Sequence, residues 1–125
     1  MKNHLFNLLN NLKNAQQAKK SFFFFKNIKL CKKILNLLWK EGFIAGYLIQ
    51  KSTFFFIKIF LNQKFNINLF YIFAHYKNSY VLSFKELYKI NNSLFLLILT
   101  TTKGIFTLKE CKQKKLGGKL LILIK

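Results

Sequence analysis

The stretch Thr100-Thr-Thr-Lys-Gly-Ile-Phe-Thr-Leu-Lys-Glu-Cys-Lys-Gln-Lys-Lys-Leu-Gly-Gly-Lys-Leu-Leu-Ile-Leu-Ile-Lys125 decides how the chain is read. It opens on a hydroxyl-rich turn, Thr100–Gly104. Thr107-Leu-Lys-Glu110 follows the S/T-x-x-E pattern, in which the hydroxyl and the carboxylate each satisfy a backbone donor of a helix's first turn, so a short helix is expected from Leu108. Gly117-Gly118 is expected to end that unit with a turn, and Leu120–Ile124 to form a closing strand.

Working backwards, Leu94–Leu99 is an unbroken apolar run of strand length, set off by the turn signal Asn91-Asn92. Phe84–Ile90 reads as a short helix or turn, Tyr80–Leu82 as a short strand, and Lys77-Asn78-Ser79 as a break. Over Phe65–Tyr76 the alternation of Ile67, Leu69, Tyr71 and Phe73 predicts a strand with those residues on one face. Phe43–Gln50 and Phe54–Leu61 predict a hairpin around Lys51-Ser52-Thr53. Ile28–Glu41 is expected to be a helix with Leu30, Ile34, Leu37 and Leu38 as its apolar stripe, ended by Gly42. Phe22–Phe25 suits a strand; core packing is the first reading of its rings, and base stacking the other. Gln16–Ser21 reads as a loop. Asn3–Asn14, with Leu5, Leu8, Leu9 and Leu12 on one helical face, reads as an opening helix capped by Asn3.

These elements predict an α+β fold: an N-terminal α-β-α-β-β unit over residues 1–70, then a mostly β C-terminal unit over residues 71–125 with one short capped helix. Apolar residues make up 52% of the 125 residues, enough to build a core. The formal charge is +19, from 22 basic residues, all lysine, against Glu41, Glu86 and Glu110. Such an excess needs a polyanion to offset self-repulsion, which leaves nucleic acid or an anionic membrane surface. The lysines are spread along the chain, which favours a folded surface held in RNA over a basic tail. Arg, Asp and Pro are absent, and Lys, Asn, Phe, Ile, Leu and Tyr are heavily used. That bias points to an A/T-rich genome, and an organelle is the expected source: a mitochondrion first, a plastid second.

Other chemistries lack their residues. The longest apolar runs, Leu94–Leu99, Leu120–Ile124 and Phe54–Ile57, fall far short of the roughly 18 to 20 residues that span a bilayer. No secretory signal is expected at the N-terminus. Cys31 and Cys111 are isolated and read as packing residues of a reducing compartment, and His4 and His75 have no neighbours at ligand spacing, so no cofactor or metal is expected. There is no phosphate loop and no evident nucleophile–base pair, so the chain is expected not to be an enzyme. A cationic protein bound to membranes through its first helix, or a free RNA-binding regulator, are the other readings.

The order of these motifs resembles the family of small ribosomal subunit protein eight. Asn3-His-Leu-Phe-Asn-Leu-Leu-Asn-Asn-Leu-Lys-Asn14 is similar to the family's opening helix, which begins Asp-Pro-Ile and runs on to Arg-Ile-Arg-Asn. Leu37-Leu-Trp-Lys-Glu-Gly-Phe-Ile44 resembles its Leu-Lys-Glu-Glu-Gly-Phe-Ile, Lys85-Glu86-Leu87 its Lys-Glu-Leu, Thr100–Gly104 its Ser-Thr-Ser-Lys-Gly, and Leu116-Gly-Gly118 its Gly-Gly turn. The spacing runs without gaps from Asn3 to Ile44 and from Lys77 to the end, whereas Ala45–Tyr76 matches only as a strand pattern. Asn3-His4 replaces the family's Asp-Pro, Asn11 and Lys13 replace its first-helix arginines, and Tyr76–Ser79 shortens a basic loop. Lysine is a point charge and asparagine is neutral, so neither reproduces an arginine fork.

The resemblance implies a ribosomal protein that binds the central domain of small-subunit rRNA during early assembly, among neighbouring small-subunit proteins. It places RNA contacts on Thr100, Thr101, Thr102, Lys103 and Gly104. Lys109 and Lys112 would add phosphate contacts from the capped helix. Lys13, Asn14, Lys29 and Lys32 would form a second contact area in the N-terminal half.

Overall fold

A computed structural model describes residues 2–50, 55–64, 67–73, 81–90 and 95–125. The expected turns at Lys51-Ser52-Thr53, Lys77-Asn78-Ser79 and Asn91-Asn92 lie outside the described residues. The chain forms two compact units, Asn3–Ile67 and Asn68–Lys125.

The N-terminal unit runs α1 (Lys2–Gln17), β1 (Phe22–Lys26), α2 (Lys29–Lys40), β2 (Ile44–Ile49) and β3 (Phe56–Leu61). The antiparallel strands take the order β1-β3-β2. Leu5, Leu8, Leu9 and Leu12 are fully buried, as their one-face spacing requires. α1 begins at Lys2, so Asn3 lies inside the helix and is not its cap. α1 also runs through Gln17, over residues expected to form a loop. Ala15 and Gln16 are buried, and Gln16 Oε1 accepts a hydrogen bond from the Ile67 N–H at 2.8 Å. A buried amide with a backbone partner is well accommodated in a helix although the residue is polar. The helix ends when Lys19 turns left-handed (φ 57°) and the Lys20 N–H reaches back to the Ala15 carbonyl.

α2 buries Cys31, Ile34, Leu35, Leu37 and Leu38, while Leu30 of the expected stripe is only half-buried. Gly42, at φ 84°, ends the helix, with the Phe43 N–H bonded to the Leu38 carbonyl. Ile44, Ile57, Ile59 and Phe25 bury the inner side of the sheet. The Phe22–Phe25 strand forms as expected, but core packing holds only in part: Phe25 is buried, whereas Phe22 and Phe24 are exposed. Alternate residues of a strand face opposite sides, so four successive rings cannot all enter one core.

The C-terminal unit runs β4 (Phe70–Ile72), β5 (Val81–Leu82), α3 (Phe84–Tyr88), β6 (Leu96–Thr101), β7 (Gly104–Thr107), α4 (Leu108–Lys114) and β8 (Gly118–Ile124). Its sheet is antiparallel, with β8 pairing β4, β5 and β6, and β6 pairing β7. Leu87, Leu97, Leu99, Leu108 and Cys111 pack into one cluster that joins α3 and α4 to β6. Among the described residues of the expected strand Phe65–Tyr76, only Phe70–Ile72 is strand. Ile67 bonds to α1 instead, and of the residues expected to share its face Leu69 and Tyr71 are exposed, while Ile72 is buried. β6 begins at Leu96 and continues through Thr101, and β7 follows where only turn and cap were expected.

Candidate nucleic-acid interface

The hydroxyl-rich segment is a tight hairpin. Thr101 pairs with Gly104 at the end of β6 and β7, leaving Thr102 and Lys103 at the turn. Gly104 supplies the positive φ (131°) that closes it, a conformation L side chains rarely adopt. Thr101 Oγ1 donates to the Gly104 carbonyl at 2.9 Å and accepts from the Lys103 N–H at 3.2 Å. The Thr101 hydroxyl therefore shapes the turn. Thr102 and Lys103 are exposed at its tip, and Thr100 is half-buried opposite Ile105 and Lys119.

The two glycines act by size. Neither Gly117 nor Gly118 has a positive φ; the left-handed residue after α4 is Lys115 (φ 55°). A Cβ at Gly117 would stand 2.7 Å from the Leu82 carbonyl oxygen and 3.1 Å from the Phe84 nitrogen. A Cβ at Gly118 would stand 2.8 Å from the Thr100 oxygen and 2.9 Å from Thr101 Cγ2. The Gly-Gly pair, expected as a turn, instead lets the start of β8 lie directly against both the β5–α3 junction and β6. That close approach opens a shallow groove lined by Ser83 and Glu86, by Thr100, Thr101 and Thr102, and by Gly117, Gly118 and Lys119.

Capping boxes fix both helices of this unit. Thr107 Oγ1 accepts from the Glu110 N–H at 3.3 Å, and the Glu110 carboxylate accepts from the Thr107 N–H, so α4 starts at Leu108 as its sequence predicts. Ser83 and Glu86 repeat the arrangement at α3. Ser83-Phe-Lys-Glu86 carries the same S-x-x-E signal, which marks the start of α3 in the sequence, and the pairing of β5 with β8 brings Ser83, Glu86 and Lys119 to the groove.

The predicted lysines separate. Lys109 is exposed on α4. Lys112 is half-buried: its ammonium donates to the Ile90 carbonyl after α3 and lies 5.8 Å from the Tyr88 ring centroid. A cation at the carbonyl end of a helix is favoured by the helix dipole. In the N-terminal unit, Asn14 lines an open groove between α1 and β1 with Asn11, Lys20, Phe22 and Phe24. Lys13 lies on α1 outside that lining, and Lys29 and Lys32 occupy the first turn of α2, where no acidic residue offsets the helix's positive end.

Among the described residues no three of His, Cys, Asp and Glu cluster as metal ligands, and no helix is long and apolar enough to cross a membrane. Burial pushes the Cys31 thiol up to about 11. Cys111 is raised chiefly by burial, with Glu110 adding and Lys114 opposing.

The sequence model of the family described as ribosomal protein S8 matches residues 3–124. The small ribosomal subunit protein uS8 of Borrelia garinii subsp. bavariensis is 34% identical over 119 residues, covering 91% of this chain and 90% of that protein. Its namesake in Borreliella afzelii is 33% identical, and that of Borreliella burgdorferi 30%, over the same shares.

Proposed function

The chain belongs to the ribosomal protein S8 family, and from that premise we propose that it is a structural constituent of the small ribosomal subunit that binds the central domain of its rRNA and supports its assembly. The observation that carries this reading is the groove in the C-terminal unit, where three separated segments converge. Folded RNA is recognised largely by shape, through 2′-hydroxyls and phosphates presented on the wide minor groove. Thr100 and Thr102 offer hydroxyls that both donate and accept, Gly117 and Gly118 bring the walls of the groove together, and Lys103 and Lys119 meet phosphates. Thr101 and Gly104 position these groups by holding the hairpin turn. Lys109 adds a phosphate contact from α4. Lys13, Asn14, Lys29 and Lys32 form a second contact area on the N-terminal unit. Other small-subunit proteins are its protein neighbours, and its ribosome is mitochondrial. It acts by binding and not by catalysis.

The test is the affinity for a central-domain rRNA fragment, measured across a salt series. Lys103→Ala, Lys109→Ala and Lys119→Ala are each expected to flatten the slope of log K against log salt by about one unit, the share of one phosphate contact. Slopes that match the unsubstituted protein would remove those lysines from the interface.

A further inference from the structure

The N-terminal sheet has a second side. In the antiparallel register Phe22 stands opposite Phe60, Phe24 opposite Lys58, and Lys26 opposite Phe56. Directly opposed residues share a face, so these six side chains, aromatic rings with lysines among them, lie on one side of the sheet. The intervening residues Phe25, Ile57 and Ile59 are buried on the other side. Phe22, Phe24 and Phe56 remain 39%, 48% and 45% exposed. Lys58 Nζ sits 4.2 Å from the Phe22 ring centroid and 5.3 Å from that of Phe60, so its charge is held among the rings. Phe22 and Phe24 meet edge to face, 5.7 Å between centroids.

We propose that this face binds a short run of unpaired ribonucleotides. Charge decides the occupant. The face carries lysines and no carboxylate, and Glu41 is the sole acidic residue of Asn3–Ile67. An apolar protein partner would bury Lys26 and Lys58 without a counter-charge, which is costly. Single-stranded RNA meets both halves of the pattern, since bases stack on the rings and phosphates reach the ammonium groups. The groove along β1 extends the surface, bringing Asn11, Asn14 and Lys20 beside Phe22 and Phe24. The Asn11 and Asn14 amides both donate and accept, as the edges of an unpaired base require. Helical RNA keeps its bases stacked and paired and offers the rings nothing, so this ligand differs from the one assigned to the C-terminal groove. The inference stands on the N-terminal sheet alone.

The experiment compares the full chain's affinity for an oligouridylate of about ten nucleotides, within the site sizes of single-strand binders, with that for an abasic ribose-phosphate oligomer of equal length. The base-bearing oligomer is expected to bind about tenfold more tightly, the effect of one good stacking contact. Phe22→Leu with Phe24→Leu, which keeps apolar bulk and removes the rings, is expected to erase most of that preference while leaving unchanged the salt-slope shares of Lys103, Lys109 and Lys119 on the central-domain fragment. Equal affinity for the two oligomers, or an undiminished preference in the double variant, would overturn the proposal. Should the variant fail to fold, photocrosslinking of a 5-iodouridine oligomer to the unsubstituted chain decides: adducts on Phe22–Phe24 or Phe56–Phe60 support the site, and adducts confined to the C-terminal unit overturn it.

Discussion

The two units are made from similar materials under different constraints. Each is an antiparallel sheet packed with helices, and each carries lysine as its only side-chain cation apart from histidine. In the N-terminal unit the helices and strands are specified by apolar periodicity, and leucine and isoleucine, with Phe25, make up most of its core. In the C-terminal unit, single residues whose size or hydrogen bonding cannot be exchanged carry the architecture: Gly117, Gly118, Thr101 and the two capping pairs. A composition drifting toward lysine and phenylalanine can preserve the first kind of architecture freely. The second kind survives only where the needed residues are kept, and all of them but the Thr107–Glu110 pair line the groove.

The comparison can be broken most visibly at a core leucine. Leu35→Ala, at a fully buried position of α2, is expected to destabilise the N-terminal unit by about 2–5 kcal/mol. Leu30→Ala, on a half-buried position of the same helix, should cost clearly less in the same denaturant titration. Equal costs would mean that periodicity does not govern this unit. The next effect belongs to the C-terminal unit. Gly117→Ala places a methyl against the Leu82 carbonyl and is expected to cost about 1–3 kcal/mol, with loss of RNA affinity beyond what the fraction unfolded explains. An alanine tolerated there would show that the close approach is not required.

Much of this was legible beforehand, for identifiable reasons. α2 with its glycine stop, the β2–β3 hairpin and the α4 cap follow local rules of period and hydrogen bonding, and each occurs where those rules place it. The misses are where the deciding partner is distant in sequence. Gln16 looked like loop because its partner, the Ile67 amide, lies 51 residues away. The alternation through Ile67, Leu69 and Tyr71 looked like one strand, but Ile67 bonds to α1 while Phe70 pairs with Ile124 of β8. Gly117-Gly118 looked like a turn because nothing local announces that Thr100 and Leu82 pass within contact of it. The groove is half legible in the sequence: its Thr100–Thr102 wall stands out as a hydroxyl-rich run, whereas its Ser83 and Lys119 contributions depend on the sheet pairing.

Smaller effects sharpen the contrast. Thr107→Ala removes the cap of α4 and should cost about 1 kcal/mol in thermal unfolding, with Ser83→Ala at α3 at or below that. Cys31 offers a pH test in the N-terminal unit. Its thiol is raised from 9.0 to about 11 by burial, so the folded state holds the proton more tightly than the unfolded chain. The associated stability is complete below pH 9 and is lost as pH rises through about 11. Cys31→Ala should make the alkaline fall in unfolding midpoint less steep, and an unchanged slope would place the thiol in contact with water.

The most direct test of the central claim is crosslinking of the protein to RNA in its native compartment, with both the nucleotides and the attached peptides identified. The account predicts reads concentrated in the central domain of small-subunit rRNA, joined to peptides containing Thr100–Gly104 or Gly117–Lys119. Reads scattered over many transcripts, or central-domain crosslinks that avoid those peptides, would contradict it.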